Sequence, residues 1–259
     1  MRFASLGSGS NGNGLVVESG NTRVLLDCGF GLRDSEQRLG RLGVSPEQLS
    51  GILVTHEHDD HAGGVFRLAA RHGIPVWLTH GTLRMVERLL NKPDKLSLNV
   101  IDSHLAFALG DLEIQPYPVP HDAREPVQYV FGDGSQRLGV LTDTGASTPH
   151  IAAMLSGCDA LVLECNHDLD MLMHGPYART LKQRVSSRLG HLDNASSADL
   201  LAGLDNSKLQ HIVAAHLSAQ NNTPALATQA LSQALGCTQD WIAVATQLDG
   251  LDWREISAR

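Results

Sequence analysis

The chain is poor in aromatic residues, which make up 4% of its 259 positions, and it has only four cysteines. No stretch approaches the ~20 consecutive apolar residues that a helix needs to span a bilayer. Cys28, Cys158, Cys165 and Cys237 form no CxxC pair and lie in or beside apolar segments. That argues against a thiolate metal motif and a disulfide framework. The expectation is buried free thiols in a reducing cytoplasm. The opening MRFASLGSGS lacks the apolar core of a signal peptide, so neither secretion nor a membrane is expected. Positive charge is also short, with a formal net charge of −8. Such a chain is not built to coat nucleic acid indiscriminately, which takes clustered lysine and arginine. Its few aromatics likewise disfavour tight nonspecific binding of single strands by stacking.

What is present is a composition that is 42% hydrophobic, ample for a sizeable core. There is no linker and no internal repeat beyond a coarse two-half layout, so residues 1–259 are expected to form one domain. Short apolar runs between turn-rich segments predict strands over 3–6, 15–18 and 23–27, a β-meander. Further strands are predicted over 74–78, 99–101, 106–109, 112–117, 128–131, 139–143, 160–164, 211–215 and 241–245, the last closing the sheet. Helical spacing points to 34–42, 61–71, 81–90, 177–189 and 196–204, and Ser45-Pro46-Glu47 has the look of a helix start. The alternation implies a mixed α/β sheet.

The densest chemistry is THEHDDHAGG at 55–64, directly after the apolar run Gly51-Ile52-Leu53-Val54. A buried strand that delivers His56, His58, Asp60 and His61 into one turn gathers nitrogen and oxygen ligands around a point, and alternate ligands can face two adjacent ions. Imidazole and carboxylate without thiolate suit zinc, manganese or iron. Other carboxylates and histidines follow predicted strands. Asp27 ends VLLDCGF, where it could accept the free N–H of a ligand histidine or simply form a turn. His121 stands between rigid turns in PVPHD, with Asp122 beside it. Asp143 ends GVLTD, and Glu164, Asn166 and His167 cluster in ECNHD as candidates to line a pocket. His216 ends the last buried run before LSAQNN.

One local reversal of charge stands out. Between Met171 and Asn194 there are four basic residues, Arg179, Lys182, Arg184 and Arg188, against the single acid Asp193, so the segment is +3 inside an acidic chain. A solvated helix face explains this, and so does a strip for a phosphate backbone leading to His191. The polar residues Ser10, Asn11, Ser218, Asn221 and Asn222 could donate to phosphate oxygens, although turn formation explains them too.

The HxHxDH pattern of His56, His58, Asp60 and His61 resembles that of the metallo-β-lactamase-fold hydrolases. More of the chain resembles one branch of that family, YycJ/WalJ: SLGSGSNGNG, PVPHDA, ECNHD, GPYARTLKQR, GHLDN and AHLSAQNN. The chain departs from that pattern at Gly14 and Asp193, where serine is common; these departures bear on substrate contacts, not on the metal site. The resemblance implies an αββα sandwich of two mixed sheets flanked by helices. It assigns His56, His58 and His121 to one divalent ion, Asp60, His61 and His216 to a second, and Asp143 to both. It further implies phosphodiester hydrolysis, with 5′-to-3′ exonuclease action on DNA, by a hydroxide bridging the ions. Asp60 could orient that hydroxide, and His191 or His167 could protonate the leaving oxygen. The competing readings are a cyclic phosphodiesterase, thioesterase or lactonase of the same fold, and a noncatalytic metal-binding regulatory domain. Metal identity and oligomeric state stay open.

Overall fold

The computed structural model describes residues 1–87, 90 and 96–258. The expected meander forms first: β1 (Arg2–Gly7), β2 (Gly14–Ser19) and β3 (Thr22–Leu26) pair antiparallel in sequence order. After helix α1 (Leu32–Arg41) the chain adds β4 (Gly51–Leu53) parallel to β3. Helices α2 (Asp59–Ala62) and α3 (Val65–His72) follow, then β5 (Val76–Thr79), α4 (His80–Val86) and β6 (Leu98–Ile101), with both strands continuing the parallel set. The second half opens with the antiparallel strands β7 (Phe107–Leu109), β8 (Leu112–Pro118) and β9 (Val127–Gly132). It continues through β10 (Arg137–Leu141), α5 (Pro149–Leu155), β11 (Ala160–Glu164), α6 (Leu169–His174), α7 (Arg179–Val185), α8 (Asn194–Ala202) and β12 (His211–Ala215). The chain ends with α9 (Pro224–Leu235), β13 (Ile242–Val244) and β14 (Leu251–Glu255). The two sheets have seven strands each, in the orders β14-β1-β2-β3-β4-β5-β6 and β13-β12-β11-β10-β9-β8-β7. Both are mixed: β3 to β6 run parallel in one and β10 to β13 in the other.

Side chains alternate across each strand, and the layers follow from that period of two. Phe3, Val17, Val24 and Leu26 point inward to meet Ile114, Tyr129, Phe131, Val140, Val162 and Val213 of the facing sheet. Their neighbours Ala4, Val16 and Leu25 point outward under Leu39 of α1 and Val65, Leu68 and Ala69 of α3. On the other outer face, Leu161, Leu163 and Ile212 lie under Ile151 and Leu155 of α5, Leu200 and Leu201 of α8, and Leu231 of α9. This is the αββα sandwich. Among the described residues no helix is long and apolar enough to cross a membrane.

Four expectations change. The helix over 61–71 is broken at Gly63-Gly64, because the Gly64 N–H binds Cys28 O at 2.8 Å while the Asp60 carbonyl one turn back accepts Asn13 N at 2.8 Å. The helix over 177–189 is confined to α7, and the helix start at Ser45 gives only a one-turn 3-10 segment, Pro46–Gln48. The strand over 241–245 does not close the sheet. It shortens to β13 on one edge, and the chain then crosses to β14 on the edge of the other sheet, pairing with β1. LDWRE has one buried residue, Leu251, and no apolar run, which is why it did not read as a strand. Part of the helix expected over 81–90 falls on 88 and 89, outside the described residues.

All four cysteines are unpaired. Burial pushes the Cys28 and Cys158 thiols up to about 11 and the Cys165 thiol up to about 12, while Cys237 is half-buried. Only thiolate reacts quickly with a disulfide reagent. At pH 8 the folded protein is therefore expected to release one equivalent of thionitrobenzoate promptly from Ellman's reagent. The other three should react only in denaturant, and prompt reaction of all four would contradict this packing.

Candidate metal centre

Parallel strands gather functional groups at their C-terminal ends. Here β3 delivers Asp27, β4 delivers the 55–58 turn, β10 Asp143, β11 Glu164 and β12 His216, while the loop after β8 delivers His121. Among the described residues only Asp27, Asp143 and His216 are non-glycine residues with positive φ, at 59°, 50° and 55°. Each turns sharply out of its strand so that the side chain faces the space above the sheet edge. A left-handed backbone of this kind costs on the order of 1–3 kcal/mol where the surroundings impose it.

Three groups of donors result, the third of which, Asp143, Glu164, His191 and His216, overlaps the second. His56, His58 and His121 form one, with His58 Nδ1 lying 3.0 Å from His56 Nε2 and 3.3 Å from His121 Nε2. Asp60, His61, Asp143 and His216 form the second. In it His61 Nε2 is 3.0 Å from Asp143 Oδ2 and 3.5 Å from Asp60 Oδ2, and His216 Nε2 is 3.4 Å from Asp60 Oδ2. Asp143 touches both of these groups, because its Oδ1 lies 3.5 Å from His216 Nε2 and 4.0 Å from His121 Nε2.

The surroundings decide which ring nitrogen faces the centre. Asp27 takes three donors, Thr55 N on Oδ1 and Thr55 Oγ1 and His61 Nδ1 on Oδ2, each at 2.8 Å. Because the Thr55 hydroxyl donates to Asp27, it accepts from His56 Nδ1 at 2.9 Å. His121 Nδ1 donates to the Gly190 carbonyl at 3.1 Å. In all three imidazoles Nδ1 is the protonated nitrogen held by the surroundings and Nε2 is the one turned inward, the orientation that carbonyl and carboxylate partners select in metal-ligating histidines.

These residues fit divalent cations. The lone pairs of His56 and His121 converge on one His58 nitrogen, whose single proton cannot serve both well. Asp143 Oδ2 is buried and has no hydrogen-bond partner, although His61 Nε2 stands 3.0 Å away. A buried carboxylate oxygen without a hydrogen-bond partner calls for an explanation, and a cation supplies one. Proton affinities agree. Burial works against charge on Asp143, yet His216 and His61 hold its carboxyl well below the usual range. Burial likewise opposes a proton on His61 and His216, but Asp143, with Asp27 beside the first and Asp60 and Glu164 beside the second, holds His61 well above the imidazole range and His216 up at about 10. His56, which burial dominates, is held well below. The carboxylates demand positive charge at this point, and the sandwich encloses it.

Beyond the first two groups, Glu164 is fully buried and takes Thr144 N at 3.0 Å and Leu192 N at 3.2 Å on Oε2. Its Oε1 accepts from His191 Nδ1 at 2.7 Å. Burial opposes the carboxylate, but the His191 charge and hydrogen bond bring it down to about 2. The same pair raises His191 against the effect of its own burial. His191 lines a cavity of about 390 Å³ together with Ser10, His58, Asp60, Asp143 and His216.

Other candidates lie elsewhere. His167 is buried off this cavity, its Nδ1 3.3 Å from Asn166 Oδ1. Ser218, Asn221 and Asn222 are buried and hold loops together; Asn222, for example, donates to Cys165 O at 2.7 Å. Asn11 is exposed, and its N–H donates to Gln247 Oε1 at 2.9 Å. Asp122 sits 3.5 Å from His121 Nε2 and bonds Arg184 Nε at 2.6 Å, so the Gly190 carbonyl, not Asp122, holds the His121 ring. Sequence reasoning missed Thr55 and also Asn13, whose Nδ2 reaches Asp60 O at 3.2 Å and His61 Nε2 at 3.1 Å. A threonine opening the histidine motif was the available signal for the first; nothing local marks Asn13.

Residues 22–216 match the family model described as the beta-lactamase superfamily domain. The chain is 36% identical over 238 residues to the exodeoxyribonuclease YycJ of Bacillus anthracis, covering 91% of this chain and 89% of that protein. It is 33% identical over 229 residues to the exodeoxyribonuclease WalJ of Streptococcus pneumoniae, covering 88% and 85%. In three dimensions it is similar to the metallo-β-lactamase fold protein YhfI of Bacillus subtilis, with a TM-score of 0.75 at 16% identity over 98% of this chain and 99% of that one. The chain belongs to the beta-lactamase superfamily, in its YycJ/WalJ branch, and is a metal-dependent hydrolase.

Proposed function

We propose that this protein is a dinuclear phosphodiesterase that removes nucleotides from DNA in the 5′-to-3′ direction. The observation that carries the reading is Asp143 standing between two donor groups, within 4.0 Å of His121 on one side and 3.5 Å of His216 on the other. His56, His58 and His121 would hold one divalent ion, Asp60, His61 and His216 a second, and Asp143 both. Zinc, manganese and iron all suit this oxygen and nitrogen set. When bound, such ions supply Lewis acidity toward a phosphoryl oxygen and a water acidic enough to attack near neutral pH. The DNA substrate is supported by the names of the two relatives.

The remaining work falls to the chain. Asp27 holds His61 and, through Thr55, His56 in their tautomers. Asp60, held by Asn13 and facing the cavity, is placed to orient an attacking water. His191 carries its Nδ1 proton against Glu164 and turns Nε2 into the cavity, where it protonates the leaving oxygen. His191 fills this role better than His167, which does not reach the cavity. Donors from both halves of the chain support reading 1–259 as one domain, and four unpaired thiols support a cytoplasmic setting.

The test is digestion of DNA and RNA labelled at either end, after chelation and with manganese or zinc added back. Metal-dependent loss of nucleotides from the 5′ end of DNA is expected. Inertness toward every phosphodiester, with turnover of lactones or thioesters instead, would overturn the proposal.

A further inference from the structure

The cavity beside the donor groups has two unlike walls. Metal-site residues and His191 make one; Tyr177, Leu181 and Val185 make the other. Leu181 and Val185 lie four apart on one stripe of α7, and Tyr177 stands just before the helix begins. Helix α7 contains no buried residue, Leu181 is 37% exposed, and none of the three belongs to or packs on any of the apolar cores. The stripe is therefore not committed to holding the fold. The same segment carries Arg179, Lys182, Arg184 and Arg188 and no acid between 171 and 192. Arg184 lines the cavity mouth, tied to Asp122.

A surface that is apolar, includes one aromatic ring, is edged by the Arg184 guanidinium and faces a cation site suits a nucleotide, which has a flat base at one end and an anion at the other. Resting on the phosphodiesterase reading, we infer that the Tyr177–Leu181–Val185 wall receives the terminal nucleobase of the strand whose phosphodiester lies against the donor groups, with Arg184 beside the phosphate. The wall offers a face and no array of polar groups for base edges, so it accepts any base, since every base has a π-face. The cavity, about 390 Å³, is near the small end for ligand pockets. A space of this size is enough for one nucleotide.

The metal-reloaded protein is tested on a single-stranded oligonucleotide with ordinary termini and on one whose terminal residues are abasic tetrahydrofuran units. Wild type is expected to remove the abasic terminus about tenfold to a hundredfold more slowly in kcat/KM, the range of one base–aromatic stack. Tyr177→Ala should lower the ordinary substrate by a similar factor and leave the abasic one unchanged, and Tyr177→Phe should behave as wild type. In complexes with the inactive Asp143→Asn protein, a terminal 2-aminopurine should be quenched, and Tyr177→Ala should remove that quench. Equal rates on both substrates in wild type, or equal slowing of both by Tyr177→Ala, overturn the base-binding role while leaving the exonuclease reading intact. Failure of wild type to cut either oligonucleotide overturns both.

Discussion

Asp143→Ala is expected to lower kcat/KM by at least about a thousandfold and to lower bound metal measured by plasma mass spectrometry. Several kcal/mol of charge stabilisation depend on cations at such a site, and each 1.36 kcal/mol is a factor of ten in rate. Among the described residues Asp143 is the one carboxylate within reach of both donor groups, and its partners are the ligand histidines His61 and His216 rather than the backbone. Its removal should therefore cost function far more than folding. Alanine does carry a backbone penalty at a φ of 50°. Asp143→Asn controls for that, because asparagine tolerates the left-handed region while lacking the charge. Both variants should retain the wild-type circular dichroism spectrum. A variant that keeps wild-type turnover after chelation would sink the metal assignment.

Glu164→Gln is expected to lower kcat by about a hundredfold, the scale of a general acid out of place, with metal content close to wild type. The carboxylate serves two sides at once: Oε2 accepts two backbone N–H groups, and Oε1 accepts from His191 Nδ1. An amide has one oxygen. If that oxygen stays on the backbone donors, the amide nitrogen faces His191 and donates to Nδ1. The ring then loses its carboxylate support and its inward proton donor is weakened. Because the substitution preserves shape, thermal unfolding should shift by only a few degrees. Unchanged kcat would remove Glu164 and His191 from the proton path.

How much of this could be read before folding depends on distance along the chain. The strand ends carrying Asp27, Asp143, Glu164 and His216 are visible because each closes a buried apolar run with a polar residue, a local pattern. The alternation of the meander and its facing strands is local too, so a mixed sheet is legible, whereas the two-sheet sandwich is what the family resemblance implies. Contacts joining the two halves are not. The Gly190 carbonyl meets His121 from 69 residues away, and Ser8 Oγ accepts His216 N from 208 away. Such pairings exist only once the sheets are stacked. The break at Gly64 has the same origin, since its N–H is taken by the Cys28 carbonyl on another segment. His167 looked equivalent to His191 in sequence. They differ because His167 sits in the buried turn that pairs with Asp193, whereas His191 follows the turn that reaches over the cavity.

Two of the three left-handed strand ends set stability against function. Glycine would adopt the same backbone at Asp27, Asp143 or His216 without strain, and would bring nothing to the centre. A population of variants sorted only for resistance to heat or protease, in chelator, should drift toward glycine or asparagine at Asp143 and His216 but keep Asp27, whose carboxylate takes three buried hydrogen bonds, while one sorted for turnover should keep all three. The sites of conflict between the two sorts would mark the active centre with no substrate known, and a chain without recognised relatives could be read the same way from its backbone angles.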